Sequence, residues 1–301
     1  MFSFIGKTDI DFVSARYYCY GASAAFFILT AIFLAVRGGP PLSVDFKGGI
    51  AVDAKVPVEV DISNLRKTLS NNGLDAQVQT LGTAGHYMIK IARDEEEASL
   101  DDNLHKSLKE VSGSRGYEIL RKDFVGSVVG EKLRRQAFFA IALSFLGIIV
   151  YVGFRFQNLV WGLAGVIALF HDVFLSLGFI TLFNLEMDLV LIAALLTVGG
   201  YSINDTVVIL DRLRERLRIH TKESISKAMN RAVNDTLSRT IITSGTSFIA
   251  VLALSIFGGM TLRPFTLVLL FGIVVGTYST IGIASNIVCS WASLGHERYR
   301  R

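Results

Sequence analysis

The sequence predicts a polytopic α-helical membrane protein: six transmembrane helices, with a small α+β, ferredoxin-like domain between the first and second. Three observations carry this. Of the 301 residues, 51% are hydrophobic, and the mean hydropathy of +0.48 exceeds that of a soluble domain of this length. The apolar residues gather in blocks long enough to span a hydrocarbon core of about 30 Å at about 1.5 Å per residue. One long segment, 37–135, is instead polar and charged, with the alternations of a folded α+β unit.

The six apolar blocks lie near 17–36, 136–154, 159–182, 189–210, 239–257 and 265–290. The first follows Lys7 and Arg16 and ends at Arg37-Gly-Gly-Pro-Pro without a small-residue cleavage site. It reads as a retained anchor helix, not a signal peptide. Basic residues then set the orientation. They precede the first span (Lys7, Arg16), follow the second (Arg155), cluster from Arg212 to Arg231 between the fourth and fifth, and recur in the tail (Arg298, Arg300, Arg301). The opposite short loops carry Glu186 and Asp188, or only Arg263. Both termini are therefore expected in the cytoplasm and 37–135 in the periplasm. The same placement accounts for a net charge of +4 and a pI near 9.0 without a nucleic-acid partner. The expected organisation is 1–36 (N-terminus and first helix), 37–135 (periplasmic domain) and 136–301 (a five-helix membrane domain with a cytoplasmic connector at 211–238 and a cytoplasmic tail).

Within the outer segment, Ser43–Val60 alternates as one or two strands, and Asp61–Asn72 has helical spacing at Ile62, Leu65 and Leu69. Ala76–Leu81 and Tyr87–Ala92 read as strands around a turn at Gly82–Gly85. Asp94–Val111 reads as a helix whose early acids suit its N-terminal dipole, and Tyr117–Arg121 as a closing strand. The order β-α-β-β-α-β is that of a ferredoxin-like domain. In the connector, Ile225, Ala228, Met229, Ala232, Val233 and Leu237 recur at helical spacing. That fits an amphipathic helix lying on the inner membrane face and equally a packed connecting helix. Cys19 and Cys289 fall in apolar spans and read as buried packing residues, not as a disulfide or a metal site.

The most informative residue is Asp205. It stands inside LVLIAALLTVGGYSINDTVVIL (189–210), a block that should cross the bilayer. A carboxylate at that depth costs roughly 2.5–3.5 kcal/mol on insertion scales and is kept only where it meets a partner, a cavity or a proton path. Tyr201, Ser202 and Asp205 share one face by i, i+3 and i+4 spacing, with Gly199 and Gly200 one turn before. On the fifth span, Arg239, Thr243, Thr246 and Ser247 form a polar stripe headed by a cation. The third span carries His171 and Asp172 in ALFHDVFL. The fourth and fifth spans are antiparallel neighbours, so Arg239 is expected near Asp205, with Thr243 one turn deeper. Each residue also has a plainer reading: Arg239 snorkels to the interface, the hydroxyls bond backbone carbonyls, and His171 and Asp172 bond each other. Left unpaired in lipid, the four ionisable groups would cost on the order of 10 kcal/mol, so they must be paired or hydrated.

GGYSINDTVVILDRLRE (199–215) and TLSRTIITSGTS (236–247) closely resemble motifs of the SecF family, the smaller half of the bacterial SecDF complex of the resistance-nodulation-division superfamily. VDFKGG (44–49) resembles the motif after that family's first helix, ALFHDV (168–173) its third-helix motif, and FVGSVVGEKL (124–133) the segment before its second helix, with Ser127 where proline is common. The resemblance implies half of a twelve-helix core whose other half is a SecD-like subunit. It implies association with the SecYEG channel and a YajC/YidC-type accessory, with unfolded secreted polypeptide as substrate and with membrane lipid around it. It implies that the bacterial inner membrane's proton motive force drives protein export. Protons are then the coupling ion, and no other cofactor is expected. The implied proton path maps onto Asp205, Arg239 and Thr243, with His171, Asp172, Tyr201 and Ser202 as secondary polar positions.

Two other functions were weighed. Half of a related proton-coupled transporter exporting a small molecule or lipid would share the architecture. An intramembrane aspartyl protease would use Asp172 and Asp205, but the second aspartate sits in SINDT rather than a GxGD-type signature. An arginine near it would also keep a carboxylate charged instead of letting the two share a proton. No catalytic residue, metal site or phosphate-binding loop is expected.

Overall fold

The β-α-β-β-α-β unit and the six apolar helices are both present. The computed structural model describes residues 8–92, 97–156 and 158–293. Lys7, the acids Asp94–Glu96 and the tail arginines Arg298, Arg300 and Arg301 lie outside the described residues. In chain order the elements are α1 (Arg16–Arg37), a single turn α2 (Val44–Lys47), β1 (Gly49–Lys55), α3 (Ile62–Asn71), β2 (Ala76–Thr80) and β3 (His86–Ile91). They continue with α4 (Glu97–Ser112), β4 (Glu118–Val125), α5 (Ser127–Phe156), α6 (Leu159–Leu182), α7 (Leu189–Ile219) and α8 (Ile225–Phe257). The sixth long helix is α9 (Arg263–Ser279), a π-helical turn (Thr280–Ala284) and α10 (Ser285–Ser293).

The sheet is antiparallel throughout, in the order β2-β3-β1-β4. Period-two alternation puts Ile50, Val52 and Ala54 of β1 on the same face as Tyr87, Ile89 and Ile91 of β3, with Val52 opposite Ile89. That face is buried against Leu65 and Leu69 of α3 and Leu100 and Leu104 of α4.

Three boundaries differ from the expected ones. Ser43–Lys47 was expected as strand, but Ser43 Oγ accepts from Asp45 N at 3.2 Å and caps the turn α2. β4 runs on to Val125, past the expected end at Arg121, and α5 begins at Ser127, well before the expected start near 136. In the connector, α7 continues to Ile219 and α8 starts at Ile225, capped by Ser224. No separate surface helix lies on the membrane there. Ala228, Met229, Ala232 and Val233 are buried in one cluster with Trp161 and Leu213, which is the packed-helix reading.

In the membrane domain α6, α7 and the sixth helix form the buried centre, and α1, α5 and α8 flank it with most side chains turned outward. The backbones of α7 and α9 come close at Gly272, where a Cβ would overlap the Val198 side chain. The small domain sits on the α6–α7 loop. Met187 N donates to Pro41 O at 2.7 Å, Ser43 N donates to Met187 O at 3.0 Å, and Lys90 Nζ of β3 stands 3.1 Å from Glu186 Oε2. Beneath it, α2 packs on α5, where a Cβ at Gly130 would press on Gly48 N at 3.1 Å.

Candidate functional site: two buried carboxylates at the α6–α7–α9 seam

Asp188 caps α7 by accepting from Leu191 N at 2.7 Å, which sets the helix start and thereby its rotation. Asp205, four helical turns further on, then falls on the buried face at 4% exposure. Its hydrogen-bonding partner is Ser244 of α8, whose Oγ donates to Oδ2 at 3.3 Å. Ser244 Oγ in turn lies 2.9 Å from Thr277 Oγ1 of α9, a hydroxyl that also lies 2.8 Å from the Ile273 carbonyl. The carboxylate is thus met by a neutral hydroxyl of α8, which is itself bonded to a hydroxyl of α9.

Arg239 does not pair with it. The guanidinium is exposed on α8, and among the described residues no ion pair joins it to Asp205. Thr243 is not at Asp205 either. Its hydroxyl lies 2.9 Å from the Arg239 carbonyl and 3.1 Å from the Thr240 carbonyl, and Thr246 bonds back to Ile242 in the same way. The expected trio is therefore spread: Asp205 inside, Arg239 and Thr243 on the outward side of the neighbouring helix. The physical reason is the rotation of α8. Its buried face is Thr236, Thr240 and Ser244, one residue away from the stripe headed by Arg239.

A charge network holds α7 and α8 in that register. Arg212 reaches Asp235 Oδ2 through Nε at 3.0 Å and Nη2 at 2.9 Å, and Arg216 Nη1 joins it at 3.2 Å. Glu223, with a side chain only 8% exposed, forms ion pairs with Arg231 at 3.0 Å and Arg216 at 3.5 Å.

The second carboxylate is Asp172 of α6, at 0% exposure. Its Oδ1 lies 2.9 Å from His171 Nδ1. Its Oδ2 accepts from Ser202 of α7 at 2.5 Å and from Ser279 of α9 at 2.6 Å. The His171–Asp172 bond expected from the sequence is present, and Ser202 turns to Asp172 instead of lining the same site as Asp205. Tyr201 is half-buried, and its buried hydroxyl has no hydrogen-bond partner among the described residues. Below Ser279 the π turn brings Thr280 Oγ1 within 3.1 Å of Thr206 Oγ1 of α7. Ser244, Thr277 and Ser279 escaped the sequence reading. The polar run Thr277–Thr280 inside an apolar span was the signal that pointed to α9.

The chain is similar to known proteins in sequence and fold. A family model described as "Protein export membrane protein SecD/SecF, C-terminal" matches residues 103–294. The chain is similar to "Protein translocase subunit SecF" of Endomicrobium trichonymphae, 36% identical over 299 residues, covering 99% of this chain and 96% of the relative. It is 38% identical over 293 residues to the protein of the same description in Thermodesulfovibrio yellowstonii, with 96% of each covered. Among solved structures it matches SecDF, a translocon-associated membrane protein from Thermus thermophilus, with a TM-score of 0.83 and 33% identity over 95% of this chain. A super-membrane-facing form of SecDF matches with a TM-score of 0.74. The chain spans 39% and 40% of the length of those two SecDF chains.

Proposed function

Because the chain belongs to the SecD/SecF family of protein-export membrane proteins, in its SecF branch, we propose that it uses the proton motive force to promote export of proteins across the bacterial inner membrane. It is a membrane-embedded transport component, a translocase subunit and not an enzyme. The observation that carries the proton reading is Asp205, buried in α7 with the Ser244 hydroxyl as donor and, among the described residues, no ion pair, beside an exposed Arg239 on the adjoining helix.

A carboxylate so placed cycles readily. When a guanidinium approaches, the charged form is favoured and a proton leaves. When it withdraws, the buried group takes a proton up. Each proton that crosses supplies roughly 2.3 kcal/mol per 100 mV of membrane potential. Arg239, on a long flexible stem at the outer side of α8, is the group that approaches, and Thr243 lies one turn along its path.

Half of the machine lies in another subunit. The outward face of α7 carries Ala193, Thr197, Gly200 and Asn204 at helical spacing, small or polar residues that suit a second helix better than lipid. A SecD-type partner covers that face. The SecYEG channel, a YajC/YidC-type accessory and the unfolded secreted chain complete the assembly, with surrounding lipid. Both termini are cytoplasmic and the 37–135 domain is periplasmic. Movement of α7 reaches that domain through Glu186 and Met187, where it is fastened to the α6–α7 loop.

The test is the Asp205→Asn variant co-expressed with its partner in membrane vesicles. Export of a secreted precursor is followed with and without an uncoupler. Assembly with loss of the uncoupler-sensitive part supports the reading, and full gradient dependence refutes it.

A further inference from the structure

One buried ionisable pair, His171 and Asp172, takes no part in the Asp205 step. We infer that His171 and Asp172 form a second proton-binding site of the same half, in which the proton enters at His171 Nε2 and is balanced by the Asp172 carboxylate. This rests on the proton-coupled reading of Asp205 and adds to it.

The geometry carries the inference through hydrogen-bond accounting. An ionised carboxylate is acceptor-only, so with Asp172 ionised the His171 ring nitrogen 2.9 Å away is an Nδ1–H donor, beside the hydroxyls of Ser202 at 2.5 Å and Ser279 at 2.6 Å. With Nδ1 donating, the other ring nitrogen of His171 is the free lone pair. Nε2 is buried and, among the described residues, has no hydrogen-bond partner, on a residue 7% exposed. A proton arriving there converts an uncompensated buried anion into an imidazolium–carboxylate pair of zero net charge. No donor to Asp172 has to move. The proton adds to Nε2, Nδ1–H stays on Oδ1, and release is the reverse step.

Among the described residues, His171 is the one cationic partner in ion-pair contact with Asp172. The Tyr278 ring of α9 stands 6.4 Å from the His171 ring, centroid to centroid, and its hydroxyl is engaged with Ser23 and the Cys19 carbonyl of α1. From α7 the titratable neighbours on this seam are Tyr201 and, one turn beyond Ser202, Asp205. Among the described residues no lysine or arginine makes an ion pair with Asp172. Histidine is therefore the group that neutralises it.

The pair also communicates. Ser202 ties Asp172 to α7 one turn from Asp205, and Ser279 ties it to α9 two residues from Thr277. Ser279 Oγ lies 3.1 Å from the Gly276 carbonyl as well, so its proton has a second acceptor when the carboxylate's demand falls. Charging His171 thus acts on the same two helices that hold Asp205.

The experiment is ¹⁵N-histidine solid-state NMR of the complex with its partner in liposomes, with the His171 signal assigned by its loss in His171→Gln. The expected result is an Nε2 resonance that moves with pH from unprotonated to protonated, a transition shifted in Asp172→Asn. Glutamine keeps a donor for Asp172 but binds no proton. His171→Gln is therefore expected to assemble and to change the pH profile of uncoupler-sensitive export. An Nε2 that stays in one state across the pH range, with an unaltered export profile in His171→Gln, overturns the second site. If Asp205→Asn still abolishes gradient-dependent export in that case, the primary reading stands alone. If His171→Gln fails to assemble, the NMR titration of the wild-type protein against Asp172→Asn decides.

Discussion

Ser244 Oγ donates to Asp205 Oδ2 across 3.3 Å, so α8 meets the intramembrane carboxylate of α7 with a neutral hydroxyl and not with Arg239 earlier on the same helix. The carboxylate is solvated by the protein without being neutralised by it. A proton then has a thermodynamic reason to bind, and the bound state has a donor already aligned.

Ser244→Ala removes that donor and leaves a buried carboxylate oxygen unsatisfied, at a cost of about 1–3 kcal/mol. Thr243→Ala removes only a bond within its own helix and should cost less than about 1 kcal/mol. Thermal denaturation of the solubilised complex is expected to rank Ser244→Ala well below Thr243→Ala. Equal stability of the two would contradict the assigned partner.

Gly272→Ala forces a Cβ into the Val198 side chain between α9 and α7. Overpacking of this kind costs about 1–3 kcal/mol. Because the clash is with one side chain, Val198→Ala should restore most of the loss. A double variant no more stable than Gly272→Ala would show that the contact does not set the α7–α9 spacing.

The seam between the small domain and the membrane core should depend on pH. Burial holds the Glu186 carboxyl above its ordinary value of 4.5, opposed by the Lys90 ammonium. Burial likewise raises Asp188, opposed by its bond from Leu191 N. A group that binds its proton more tightly folded than unfolded loses stability as pH rises. Docking is thus firmest in acid, weakens from the ordinary glutamate value upward, and levels off above the raised one. Hydrogen exchange at the 183–188 loop should follow this course, and Glu186→Gln should flatten it. An unchanged pH slope in Glu186→Gln would exclude this group as the cause.

In the α7–α8 network, exposure ranks the members. Glu223 has a side chain 8% exposed and bridges Arg216 and Arg231. Glu215 is 56% exposed and meets only Arg212. Glu223→Gln should lower thermal stability by roughly 1–3 kcal/mol, whereas Glu215→Gln should stay within about 0.5 kcal/mol because solvent screens the pair. The reverse order would mean that the network does not hold the hairpin.

Much of this was legible in the sequence for identifiable reasons. Ile50, Val52 and Ala54 alternate because one face of the sheet is covered, and that pattern is local. Asp205 stands out because a charge in an apolar block has few explanations. The α7–α8 hairpin was read too short because apolarity ends near Arg212, whereas the helix continues as an ion-paired stretch that needs no apolar residues. Ser244 was missed because the cation Arg239 drew attention to its own stripe, while Thr236, Thr240 and Ser244 mark the buried one. The partners of Asp172 come from α7 and α9, far apart in sequence, and only tertiary packing brings Ser202 and Ser279 together.

The central claim is that Asp205 carries the proton. The most direct measurement is proton uptake into proteoliposomes containing the complex and an exporting channel, read by an internal pH indicator during translocation of a precursor. The wild-type protein is expected to acidify the compartment that protons enter, in step with export, and Asp205→Asn, assembled to the same level, to show no such change. Equal acidification in the variant would contradict the account and place the coupling group elsewhere.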